Sequence, residues 1–142
     1  MKAFVLLTAM PPTTGHLQLL QFANNIAPDG VVAVINTQPH EPFPTERAQA
    51  LRAAIKRLGL TRRIKLIHYK NTMEQNPATP GFWNMWQNMM YGFGITPDDC
   101  IVASERYGKK LADITGAQFY PYDIDRSVNN TKATRIRNDP IE

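Results

Sequence analysis

Five short apolar runs punctuate the chain: AFVLLTA at 3–9, VVAVINT at 31–37, IKLIHY at 64–69, CIVAS at 100–104 and AQFYPY at 117–122. Between them lie segments with helical spacing of apolar positions, at 14–27, 44–58, 81–92 and 105–115, and a last short helix is expected from about 134. Strands that stay apolar along their length, instead of alternating, belong to a sheet covered on both faces. Regular alternation of strand and helix is the sequence form of parallel crossover units. The pattern therefore predicts an α/β, Rossmann-like domain: a five-stranded parallel sheet flanked by helices on both faces.

The clearest helix is TERAQALRAAIKRLG, where Ala48, Leu51, Ile55 and Leu58 recur at three and four and Gly59 supplies the stop. Thr45 is its expected N-cap, with Pro42 and Pro44 holding the approach extended. Gly116 is the expected stop after KKLADIT. The one long connection, KNTMEQNPATPG at 70–81, is polar and broken by prolines, as functional loops often are.

At 142 residues, with 43% hydrophobic and 20% charged residues, the composition is that of one globular domain, expected to span 1–142. A net charge of +4 suits nucleic acid and small phosphorylated ligands alike. No platform of interleaved aromatic and basic residues is present, which argues against a nucleic-acid partner. The single cysteine, Cys100, lies in an apolar run and reads as a buried small hydrophobe in a reducing compartment. Neither a signal peptide nor an apolar stretch of the roughly 20 residues needed to span a membrane is found, so a cytoplasmic location with no membrane partner is expected. His40 and His68 show no zinc-ligand spacing, so no protein-held metal is expected, and His68 reads as structural. The Ser nucleophile elbow and the GxxxxGK[ST] loop are absent.

In open parallel sheets, ligands bind beyond the carboxyl ends of the strands, where strand order reverses. The loops after the first, second, fourth and fifth strands are therefore the candidate ligand loops. The first is TAMPPTTGHLQLL at 8–20. Pro11 and Pro12 force it to be extended, Gly15 permits close backbone approach, and His16 falls in the first turn of the next helix. Free N–H groups and the positive end of the helix dipole favour phosphate there. The plain alternative is a turn glycine followed by a partly exposed histidine.

Pro11, Thr13, Gly15 and His16 spell P-x-T-x-G-H, which resembles the (H/T)xGH signature of the nucleotidyltransferase superfamily, whose fold is of the HUP-like Rossmann type. Leu7 stands where that family has glycine, Ala9 where it has an aromatic residue, and Thr13 where it often has a first histidine. EPFPTERAQAL is similar to the NPF-T-x-x-ER segment of nicotinamide mononucleotide adenylyltransferases and aligns Arg47 with its arginine. A solvated arginine on a helix face is the alternative for Arg47. KATRIRNDP resembles S-x-T-x-I-R-x-x-P in its NadR-type form, matching Thr134 and Arg137 and placing Lys132 at the motif serine, with Arg126 just upstream. SERYGKKLADITGAQFYPYD is similar to the NadR-type segment after the fourth strand and puts Ser104 and Glu105 at the ligand edge, while Tyr107 and Leu111 pack. In FWNMWQNMMYGF, Trp83, Trp86, Met90 and Phe93 form an apolar stripe at helical spacing; the resemblance instead stacks nicotinamide on Trp83 or Trp86, with Trp86 preferred.

The resemblance implies a NadR-like nicotinamide mononucleotide adenylyltransferase, without the kinase domain of longer NadR proteins, that makes NAD and pyrophosphate from ATP and nicotinamide mononucleotide. It implies magnesium carried with ATP as the cofactor, and small-molecule partners, and related enzymes are often homo-oligomers. It assigns His16, Thr13 and Arg137 to catalysis. Thr8, Ala9, Met10, Gly15, Arg126, Lys132 and Thr134 would hold ATP and its phosphates, and Arg47, a tryptophan, Ser104 and Glu105 the mononucleotide. Rival readings are a cytidylyltransferase or pantetheine-phosphate adenylyltransferase with the same phosphate motifs, and a nucleotide-binding or NAD-binding domain without catalysis.

Overall fold

A computed structural model describes residues 1–7, 14–70, 78, 80–104 and 106–122. Its elements in chain order are β1 (Ala3–Leu7), α1 (Thr14–Ile26), β2 (Val31–Thr37), α2 (Pro44–Arg57), β3 (Ile64–Lys70), α3 (Phe82–Gly92), β4 (Cys100–Ala103), α4 (Tyr107–Thr115) and β5 (Gln118–Pro121). The strands form one parallel sheet in the order β3-β2-β1-β4-β5. The five-stranded Rossmann-like architecture expected from the apolar pattern is the one observed.

Alternate residues of each central strand feed two separate cores, which is why these strands are apolar throughout. On one face Ala3, Val5, Leu7, Val31, Ala33 and Ile35 pack with Leu19, Leu20 and Ala23 of α1 and with Ala48, Leu51 and Ile55 of α2. On the other face Phe4, Leu6, Val32 and Val34 meet Phe82, Trp86 and Met90 of α3 and Leu111 and Ala112 of α4. Cys100 and Val102 point to the first core and Ile101 to the second. At the amino edge, the buried Asp99 ties two central strands together. Its carboxylate accepts the backbone N–H of Lys2 at 2.8 Å, and the N–H and hydroxyl of Thr96 at 2.9 and 3.1 Å.

Helix ends depart from expectation in informative ways. Phe43, not Thr45, is the N-cap of α2; it makes no side-chain cap, and Thr45 falls inside the first turn because Pro44, with its φ already helical, opens the helix. Helix α4 starts at Tyr107, two residues later than 105, after Arg106 as a cap without a side-chain hydrogen bond. Gly59 (φ 73°) follows α2 and Gly116 (φ 78°) caps α4 in the left-handed region, as their stop roles require. The helix expected from about 134 lies outside the described residues.

Candidate functional site

Strand order reverses between β1 and β4: β2 and β3 extend the sheet to one side of β1, and β4 and β5 to the other. The two central strands pair only at Ala3↔Cys100 and Phe4↔Ile101, whereas β1 pairs with β2 along all of Ala3–Leu7. Beyond Phe4 the carboxyl halves of β1 and β4 are no longer registered against each other. A crevice at this reversal is where ligands enter open α/β sheets.

The crevice is flanked by α1 on one side and by the turn into α4 on the other. Gly15 and His16 are the second and third residues of α1, both partly buried, in a first turn that carries no acidic side chain. The positive end of the helix is thus not neutralised by its own sequence. The apolar residues Leu19, Leu20 and Ala23 bury one face of α1 against the sheet, and that packing aims its amino end at the carboxyl edge. Ser104, partly buried, follows β4 directly at the same edge.

Tyr107 opens α4 and reaches back across the reversal, its hydroxyl donating to the Leu6 carbonyl of β1 at 3.3 Å. The residue is 41% exposed along its ring. Its hydroxyl end is turned into the protein, and burial pushes the phenol up to about 12, so it stays a neutral donor. Gly108 lets this happen: a Cβ there would lie 2.7 Å from the Ala103 Cβ and 2.8 Å from the Phe119 ring, so only glycine allows α4 to start so close to β4 and β5. Sequence reasoning assigned Tyr107 to packing alone; the tyrosine directly before a helix glycine was the available signal for its bridging role.

Arg47 lies in the first turn of α2, as expected, but 5% exposed. Its guanidinium donates to the Pro42 carbonyl at 3.0 Å and pairs with Glu41 at 3.4 Å. The same Glu41 oxygen accepts the Gln38 backbone N–H at 2.9 Å, closing the loop between β2 and α2 upon itself. The arginine is thus engaged in shaping this loop. Glu41 was not singled out from the sequence, although an acid six residues ahead of a first-turn arginine, inside a proline-bracketed turn, was the available clue.

The aromatic helix buries Phe82, Trp86 and Met90, a stripe at steps of four, with Trp83 and Phe93 packed at its margin. Trp86, the tryptophan preferred from the sequence, is 8% exposed and part of the core beneath α3. Trp83 is partly open, and the Lys110 ammonium stands 5.7 Å from its ring centroid, so its face already attracts a cation. The two tryptophans are linked through Phe82, edge-on to Trp83 at 5.0 Å and tilted against Trp86 at 6.4 Å.

Two titratable groups in the sheet are accounted for structurally. His68 Nε2 lies 2.9 Å from the buried Thr37 hydroxyl, and desolvation first, then the Lys70, Arg47 and Arg52 charges, hold its pKa below the ordinary value. Burial, with Asp99 adding to it, pushes the Cys100 thiol up to about 11, which suits a core residue and not a nucleophile. Thr8, Ala9, Met10, Thr13, Glu105, Arg126, Lys132, Thr134 and Arg137 lie outside the described residues, as do Pro11 and Pro12. Among the described residues, no three His, Cys, Asp or Glu side chains converge on a common point, and no helix is long and apolar enough to cross a membrane.

No protein-family model matches the chain. No curated protein matches it in sequence either. Solved structures do share its fold. It is similar to a NadR protein solved in complex with NAD and AMP-PNP (TM-score 0.65, 20% identity), covering 98% of this chain and 42% of that one. A NadR protein in complex with NR matches with TM-score 0.65 and 21% identity over 98% of this chain and 41% of the other. A bifunctional NMN adenylyltransferase/ADP ribose pyrophosphatase from Francisella tularensis, complexed with AMP and an Mn ion, matches with TM-score 0.68 and 16% identity over 96% of this chain and 40% of its own. The chain thus spans about two fifths of each of these proteins.

Proposed function

We propose that this domain transfers the adenylyl group of ATP to nicotinamide mononucleotide, giving NAD and pyrophosphate. The observation that carries the proposal is the placement of His16, in an acid-free helix start, beside the β1/β4 reversal of a sheet whose fold is shared with solved NadR and NMN adenylyltransferase structures. A 5′-phosphate oxygen of the mononucleotide attacks the α-phosphorus of ATP in line. One phosphorus–oxygen bond forms, the bond to the β-phosphate bridge breaks, and pyrophosphate leaves with the electron pair.

No protein nucleophile is needed, so catalysis is positioning and charge stabilisation. In this reading His16 and Thr13 hold the α- and β-phosphates, with the backbone of Thr8–Met10 and Gly15 beside them. Arg137, Thr134, Lys132 and Arg126 hold the departing pyrophosphate. Ser104 and Glu105 line the acceptor side, Arg47 supports it through the loop it ties together, and Trp83, the tryptophan with the accessible face, takes the nicotinamide ring. The described donors suit a divalent ion that arrives on the triphosphate oxygens, as magnesium commonly does, with no dedicated protein cage. Such an ion would supply charge neutralisation at the phosphates.

The test is incubation with ATP, magnesium and either nicotinamide mononucleotide or its acid form, followed by chromatography for NAD or its deamido analogue. NAD and pyrophosphate in equal amounts support the proposal. Binding of NAD without pyrophosphate release marks a non-catalytic domain, and a product only with another phosphorylated acceptor marks a different transferase. His16→Ala is expected to retain the fold and lose at least ~100-fold in turnover, the usual effect of removing one preorganised transition-state donor. A folded His16→Ala protein with normal turnover overturns the assignment of His16.

A further inference from the structure

Phe43 is 69% exposed, the most open of the large exposed hydrophobic residues among those described. One exposed phenylalanine is ordinary on a protein surface. Its backbone is not: at φ 51° and ψ 50° it occupies the left-handed region, where a β-carbon crowds the neighbouring carbonyl. Five other described positions with positive φ, at 30, 59, 81, 94 and 116, are all glycine, and Phe43 is the one non-glycine residue among them. The chain meets this conformational demand with glycine elsewhere and with a bulky aromatic here.

The surroundings impose the conformation. The Phe43 carbonyl accepts the Arg47 N–H at 2.9 Å, and the Arg47 side chain holds Pro42 and Glu41. Glu41 in turn holds Gln38, and Pro44 opens the helix. A buried ion pair and proline ring thus brace a short loop whose apex is an aromatic ring turned outward at the carboxyl edge of β2, next to β1. Strain kept in place by its surroundings, at the edge where ligands bind, points to use.

We infer that Phe43 is a substrate-contacting residue of the transferase proposed above, a fixed aromatic plate on which the flat base of the acceptor mononucleotide stacks. The acceptor is favoured over ATP by topology. The residues assigned to the leaving pyrophosphate follow β5, on the far side of β1 from β2, which leaves the β2 side to the acceptor. A cationic pyridinium is also the flat ring that an aromatic face attracts most.

The experiment compares wild type with Phe43→Gly, Phe43→Ala and Phe43→Tyr, measuring thermal midpoints and separate KM values for ATP and for the mononucleotide. Phe43→Gly is expected to melt higher than wild type, because the strain is relieved. Its KM for the mononucleotide is expected to rise roughly three- to tenfold, the usual range for one lost ring contact, with kcat and the KM for ATP little changed. Phe43→Ala shares the KM defect without the gain in midpoint, and Phe43→Tyr behaves as wild type. A stabilised Phe43→Gly protein with an unchanged mononucleotide KM overturns the inference while leaving the transferase reading intact. A defect confined to ATP overturns it too, by assigning the ring to the donor. A wild-type protein that makes no dinucleotide fails the transferase reading, and this inference falls with it.

Discussion

His68 is a base held among cations. Its folded pKa lies below the ordinary 6.5, first through desolvation and then through Lys70, Arg47 and Arg52, so between the two pKa values the unfolded chain binds the proton that the fold refuses. Stability from this residue is therefore complete above about pH 6.5 and is lost as pH falls toward the folded pKa. The thermal midpoint is expected to fall between pH 7.5 and 5.5 more steeply in wild type than in His68→Gln, which keeps a hydrogen-bonding partner for Thr37. Identical slopes in the two proteins would show that His68 does not carry the effect. Its structural role was legible in the sequence as a lone histidine late in a strand. The identity of its partner was not, since Thr37 is brought to it only by the pairing of β2 with β3.

Two helix glycines separate close approach from mere tolerance. At Gly108 in the first turn of α4, the added methyl of alanine would meet β4 and β5 side chains at 2.7 and 2.8 Å. Gly108→Ala is expected to destabilise by about 1–3 kcal/mol, through overpacking that outweighs alanine's better helix propensity of ~1 kcal/mol. At Gly92, the last residue of α3, nothing lies within 4 Å of the added atom, and Gly92→Ala is expected to be neutral or slightly stabilising. Urea midpoints of the two variants check both signs. The helices themselves were legible within a residue or two from apolar spacing. The start of α2 was not, because the loop's own ion pair set the cap at Phe43 and displaced the expected Thr45.

For the molecule as a whole, a ligand that binds only the folded state stabilises it by about 2.7 kcal/mol at one hundred times its Kd. For a domain of this size that corresponds to a rise in midpoint of roughly 5–10 °C. Under the proposed function, NAD and a non-hydrolysable ATP analogue should each raise the midpoint in this way, and an unrelated phosphate compound at equal ionic strength should not. Scanning calorimetry across a concentration series measures it, and a midpoint indifferent to both nucleotides would argue against a nucleotide cleft.

Apolar runs and helical spacing determine local structure and which faces must be covered, so the five strands, four of the helices and the two-faced burial of the sheet were written in the residue order. Motif spacing likewise singled out His16 and Arg47 as candidates. What only the tertiary structure decided is which side chains face solvent and which face each other. Crossovers placed His16 and Ser104 on either side of one strand reversal, although 87 positions separate them in the chain. Packing put Trp86 in the core and left Trp83 open. The β2–α2 loop engaged Arg47 internally and, in doing so, turned Phe43 outward. Such outcomes depend on contacts between residues distant in sequence, and local periodicity carries no information about them.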